Sequence, residues 1–275
     1  MFLHGPRVAR ALSAFEHPSR RWAAIPLRDP HDSITQRPSS PRRADVHAVG
    51  KQTLSLTTWN IQASGFPSEE VARSELILDH ILKGPKFPDI IHFQEVSSSV
   101  RKSLLSNPRV RSSFLTTDAE DDKYFKDVPF ATMTLLSSKR FGSPLLDEEE
   151  EKGEGEEGSK MVVDSVFRTK YTSRYNRGAL CVNIATPAAP GQVLRLLNVH
   201  FDSFDSQFRR TLQLVVLNDI LREPGCSGGV IAGDFNAILP SDHALVDKHK
   251  LVDAWVVLHG CRRRTRGRTQ ARQIG

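Results

Sequence analysis

No apolar run in this 275-residue sequence approaches the roughly 18 residues that a membrane-spanning helix requires, because charge or glycine interrupts the longest candidates. A soluble protein with no membrane span is expected. Cysteine is scarce: Cys181, Cys226 and Cys261 are odd in number and far apart, which argues against a disulfide framework and a zinc site and points to a reducing compartment. Cys181 lies inside an apolar, strand-like run and reads as a small core residue rather than a nucleophile. Acidic residues are missing altogether from 261–275, which hold six arginines.

The net charge of +6 suggests a nucleic-acid partner until its location is considered. Residues 1–52 carry nine Lys and Arg against four acids, and the arginine-rich tail adds six more cations, which leaves 53–260 at −5. The central region is therefore mildly acidic. Residues 1–52, rich in Pro, Arg, Ser and His without sustained periodicity, read as a disordered basic segment, with Arg37-Pro38-Ser39-Ser40-Pro41-Arg42-Arg43 as a linker. Arg7, Arg10, Arg20 and Arg21 among small and apolar residues also suit a mitochondrial transit peptide, against which Glu16, Asp29 and Asp32 weigh. The run from Asp147 to Gly158, nearly all Glu, Gly and Lys, reads as a solvated acidic loop insertion.

From Thr53 short β-rich runs alternate with helical periodicity, the pattern of a layered α/β domain that hydrophobic content of 39% can fill with one large core. Strands are predicted at 53–59, 89–94, 130–136, 179–185, 193–199 and 229–233. A first helix is expected after Ser68 as its cap, with Val71, Ile77, Leu78, Ile81 and Leu82 on its apolar face and Gly84-Pro85 closing it. A second, over about 205–222, repeats Phe208, Leu212, Val216 and Ile220 before Pro224-Gly225.

Four strands end in groups suited to phosphate or metal chemistry: Thr58-Trp59-Asn60, Gln94-Glu95, Asn198-Val199-His200 and Gly233-Asp234-Phe235-Asn236. Each residue alone is ordinary, since Asp, Asn and Glu favour turns. Their recurrence at strand ends is the signal, because strand ends in a layered domain converge on one rim. Phosphodiester cleavage needs a cation, a group that orients water, and donors for developing negative charge. Glu95 offers a hard oxygen for Mg²⁺, Asp234 a base for water, Asn60 and Asn236 amides for phosphate or metal-bound water, and His200 a donor to phosphate oxygen.

In order and rough spacing these motifs resemble those of the endonuclease/exonuclease/phosphatase superfamily. His200-Phe201-Asp202-Ser203, Arg209-Arg210, Gln213-Leu214 and Leu251-Val252-Asp253-Ala254-Trp255 make the resemblance strongest to tyrosyl-DNA phosphodiesterase 2-like proteins, over residues 53–260. The resemblance implies a four-layer α/β/β/α sandwich, Mg²⁺ (with Mn²⁺ as alternative) on Glu95, Asn60, Asp234 and Asn236 around metal and phosphate, and His200 on the phosphate. It implies hydrolysis of 5′-tyrosyl-DNA or related DNA-end phosphodiesters in DNA repair, and so a DNA partner bearing 5′ adducts. Nucleus or cytoplasm is then expected, with the mitochondrion as the alternative. Arg177 would contact a backbone phosphate or be an exposed structural arginine.

Superfamily domains run on to a final Ser-Asp-His motif on a later strand, whereas this sequence turns after His259-Gly260 into Cys261-Arg262-Arg263-Arg264. Ser241-Asp242-His243 stands too close to Asn236, in a turn, to replace it. The expectation is a domain incomplete at its C-terminus, truncated or mis-spliced, with activity impaired. Two other readings stay open: the same fold acting on RNA, phosphoinositide or sphingolipid, and a non-catalytic remnant that binds nucleic acid through its arginine-rich ends.

Overall fold

The structure, a computed structural model, describes residues 5–30, 53–120, 123–126, 128–143, 160–186, 189–204 and 206–259. The linker at 37–43, the acidic run 147–158 and the arginine-rich tail 261–275 lie outside the described residues.

In chain order the strands and helices are β1 (Arg7–Ala9), β2 (Leu12–Glu16), β3 (Arg21–Ile25), β4 (Leu56–Asn60), α1 (Pro67–Ile81), β5 (Ile90–Val96), α2 (Ser98–Ser106), α3 (Pro108–Ser113), β6 (Phe114–Thr117), α4 (Lys123–Lys126), β7 (Ala131–Ser137), β8 (Phe141–Gly142), β9 (Met161–Lys170), β10 (Gly178–Ala185), β11 (Val193–His200), α5 (Gln207–Leu221), β12 (Cys226–Asp234), α6 (Ala244–Lys248) and α7 (Ala254–His259). They form two sheets, ordered β1-β9-β10-β11-β12 and β3-β2-β6-β7-β5-β4, with β8 beside β9.

Period-two alternation sorts side chains into the layers. Along β5, Ile91 and Phe93 pack with Ile77 and Leu78 of α1 and Val100 and Leu104 of α2, while Ile90 turns to the other side and meets Val166, Leu180, Val182 and Leu196 of the opposite sheet. Along β10 and β11, Cys181, Leu197 and Val199 face Leu214, Leu217 and Ile220 of α5. Helices outside and two sheets back to back give the expected α/β/β/α sandwich. Cys181 is fully buried in it, and burial pushes its thiol up to about 12, consistent with an inert core residue.

Two expectations about the helices need correction. The first begins at Pro67, not after a Ser68 cap: Phe66 occupies the cap without a side-chain bond, and the Glu70 carboxylate instead accepts from the Ser64 and Gly65 amides at 2.8 Å each. In α5 the core face is Leu214, Leu217, Ile220 and Leu221, with Val216, whereas Phe208 is 75% exposed.

The larger correction is at the N-terminus, where residues 7–25 are not disordered but form three strands. β1 pairs antiparallel with β9, and β2 bridges β3 to β6 in the other sheet. Leu12 and Ile25 enter the core between the sheets. Arg10 and Arg168 both clasp the buried Asp118, and Arg7 and Arg195 both reach Glu223. A composition-based reading misses this because the acids that pair with these arginines are far along the sequence.

Candidate active site

The four motif-bearing strands do end at one place. β4 and β5 run parallel with Asn60 beside Gln94, and β11 and β12 run parallel with His200 opposite Asp234. The sheets are pinned beneath this rim by two buried amides: Gln94 Nε2 donates to Asn198 Oδ1 at 2.9 Å, and Asn198 Nδ2 donates to the carbonyl of Met133 at 2.9 Å. These two motif residues are therefore connectors between layers.

Above them Asn60 Nδ2 donates to Glu95 Oε1 at 3.0 Å and to Asp234 Oδ2 at 2.8 Å, so one amide holds a carboxylate from each sheet. Its own Oδ1 accepts from the Gln62 amide, and the Ala63 amide donates to the second oxygen of Glu95, each at 2.8 Å. Glu95 sits at φ 56° beside a register shift between β5 and β7. A bulge that aims a side chain, carried by a non-glycine residue in the left-handed region, is a local cost that sites of function tolerate. On β12, Gly233 has φ 146°, and a Cβ there would stand 2.0 Å from the Val199 carbonyl oxygen. Only glycine lets β12 lie this close to β11 where Asp234 meets His200.

His200 Nε2 lies 3.6 Å from Glu95 Oε1 and 3.5 Å from Asp234 Oδ2, and has no hydrogen-bond partner among the described residues. Its ring stacks on Phe130 at 5.8 Å, and its Nδ1 faces Nη1 of Arg177. An arginine has only donors, so Nδ1 must offer its lone pair and the proton resides on Nε2. Burial first, and the Arg177 charge second, push the imidazole down to about 3 against the pull of Asp234 and Asp202, so the ring is neutral. His200 thus presents an N–H between two carboxylates.

Arg177 is not an exposed structural arginine. It is 8% exposed, lies 4.7 Å over the Phe130 ring, and faces the histidine. Buried Asp202 accepts from Ser173 Oγ and from the Arg174 amide, and Ser173 Oγ in turn accepts from the Arg177 amide at 3.0 Å, which fixes the loop before β10. Asn236, expected beside the phosphate, uses its backbone N–H to hold Asp234 Oδ1 and its Nδ2 on the Phe201 carbonyl, each at 2.9 Å.

Several other motif residues hold the fold together. Arg210 and Asp242 form a buried bidentate pair at 3.0 and 2.9 Å, so the Asp of Ser241-Asp242-His243 is engaged within the fold. Gln213 accepts from the Asp202 amide and donates to the Thr172 carbonyl, and Asp253 caps α7. Phe130 and Ser173 were not found from the sequence, since neither belongs to a motif.

The residues present fit a hard divalent cation. Oxygens of Glu95 and Asp234 and Nε2 of His200 lie within 4.8 Å of one another. Because His200 Nε2 carries a proton, the two carboxylates are the groups that face a cation. Among the described residues no helix is long and apolar enough to cross a membrane.

No family model and no curated protein matches the chain in sequence. The crystal structure of TDP2 from C. elegans is similar to it with a TM-score of 0.51 and 19% identity, over 76% of this chain and 55% of that one. The SeMet form of TDP2 from Caenorhabditis elegans gives a TM-score of 0.50 at 19% identity, over 76% and 54%. The chain spans about half the length of those structures. At this identity the likeness is one of fold, and it is the fold expected from the motifs.

Proposed function

We propose that the chain is a Mg²⁺-dependent phosphodiesterase acting on 5′-tyrosyl-DNA or a related DNA-end phosphodiester, in DNA repair. The observation that carries the hydrolase reading is the Asn60 amide joined to Glu95 of one sheet and Asp234 of the other, with the unpartnered N–H of His200 aimed between them. The DNA-end substrate is supported by the resemblance of His200-Phe201-Asp202-Ser203 and Arg209-Arg210 to the tyrosyl-DNA phosphodiesterase branch.

Glu95 would hold the Mg²⁺, which when bound neutralises charge on the phosphate. Asp234, anchored through one oxygen by the Asn236 amide, keeps its other oxygen at the rim and takes the proton of the attacking water. Asn60 sets the spacing of the two carboxylates. His200 would offer its Nε2–H as a hydrogen bond to a non-bridging phosphate oxygen, the proton staying on Nε2 because Arg177 occupies the Nδ1 lone pair.

The test is release of tyrosine from a 5′-tyrosyl oligonucleotide with Mg²⁺ and with EDTA, using the wild-type chain, Glu95→Ala and Asp234→Ala. Each substitution should cost at least about 100-fold in rate, as loss of charge-stabilising groups does. Release that survives EDTA, or that both variants retain, would sink the proposal.

A further inference from the structure

Beside the rim stands a pair of aromatic rings that the hydrolytic chemistry does not use. Phe204, four residues beyond His200, is 73% exposed and has φ 58°, which is uncommon for a bulky side chain. Its backbone is held there: the carbonyl of Phe204 accepts from Arg210 Nη1 and from the Ser206 amide, each at 2.8 Å, and Arg210 is itself locked by Asp242. Tyr175 lies 6.5 Å from it, tilted by 57°. The Tyr175 ring is in turn 5.7 Å from the Arg177 guanidinium that touches His200. A contact path therefore runs from the reacting centre through Arg177 and Tyr175 to Phe204.

Exposed phenylalanines need no explanation when they are scattered. This one sits on a strained, anchored backbone beside a second ring inclined to it, an arrangement that offers an exposed phenyl face with an aromatic flank. Cations flank it. The Arg174 guanidinium is 5.9 Å from the Tyr175 ring, and Arg209 is half-buried at 4.0 Å from Asp202.

We propose that Tyr175 and Phe204 form a stacking ledge for an unpaired nucleobase of the strand whose phosphate reacts at the rim, with Arg174 and Arg209 facing the adjoining backbone phosphates. The proposal rests on the reading of the site as a nucleic-acid phosphodiesterase and adds to it the two residues that hold the base. Aromatic rings interleaved with cations suit a polymer that alternates bases and phosphates. A bilayer is the poorer match, since Phe204 is followed by Asp205, Ser206 and Gln207.

The experiment is fluorescence of a single-stranded 12-nucleotide DNA with 2-aminopurine at its 5′-phosphorylated end, titrated in EDTA with the full chain, Tyr175→Ala, Phe204→Ala and Leu76→Ser, the last at an exposed position on α1. Stacking on the ledge should quench emission, and Phe204→Ala or Tyr175→Ala should abolish the quench and weaken Kd roughly tenfold. Leu76→Ser should match the wild type. Binding with a quench that both aromatic variants retain overturns the ledge, as does no binding of the oligonucleotide. Phe204-dependent capture by phosphatidylcholine vesicles, with none by the oligonucleotide, overturns it also. Hydrolysis of bis(p-nitrophenyl) phosphate by the wild type, which offers no base, is followed separately. Its failure beside a Phe204-dependent quench would fault the catalytic reading and leave the ledge standing.

Discussion

The Arg177 guanidinium donates to Nδ1 of His200 and so decides which ring nitrogen keeps the proton. In the proposed reaction the arginine would therefore influence the phosphate through the histidine. Arg177→Met is expected to let the imidazole sample both tautomers and to raise its pKa, since a neighbouring cation is removed. In ¹⁵N NMR the wild-type ring should show a single Nε2–H tautomer, and the variant a mixture with turnover reduced about 10–100-fold. Identical ring spectra in both proteins would disprove the coupling.

Glu95 carries its carboxylate on a left-handed backbone. Glu95→Gly should therefore be more stable than Glu95→Ala by about 1 kcal/mol, because glycine adopts that conformation without the Cβ penalty. Urea unfolding of the two variants measures the difference, and equal midpoints would show that the bulge carries no strain.

Burial pushes His92, within β5, down to about 4 from an ordinary value of 6.5. Between those values the unfolded chain binds a proton that the folded chain refuses, so stability should fall as pH drops from about 6.5 to about 4 and His92 should add nothing further below that. His92→Leu should flatten the urea midpoint across this interval. An unchanged pH dependence would mean that His92 is protonated within the fold.

Asp118 meets Arg10 from the N-terminal segment and Arg168 from β9 in a buried cluster. Removing one partner of such a cluster leaves charge without compensation, so Asp118→Ala should cost about 3–5 kcal/mol. Deleting residues 1–30 should cost more, since Leu12 and Ile25 leave the core with it. A deletion variant with wild-type thermal unfolding would overturn this view of the N-terminus.

The sequence showed the central strands because β5, β7, β10 and β11 are short apolar runs whose burial is set by local pattern. It showed the rim because Asn60, Glu95, His200 and Asp234 each follow such a run. It concealed β1 to β3, whose arginines look like solvated charge until Asp118 and Glu223 are brought to them. It also concealed what Arg177 and Asn236 touch, for these contacts with His200 and the Phe201 carbonyl are tertiary and leave no periodic trace.

β1 belongs to one sheet and β2 to the other, with Arg10 and Ala11 between them, and Arg7 pairs in register with Thr169. In the order of synthesis β1 thus waits for β9 before it can be seated. Asn60, Glu95 and every strand of their own sheet lie before Ser138, while the partner of β1, His200 and Asp234 come later in the chain. The rim cannot form before the two sheets close, and the same closure stitches the N-terminus into place.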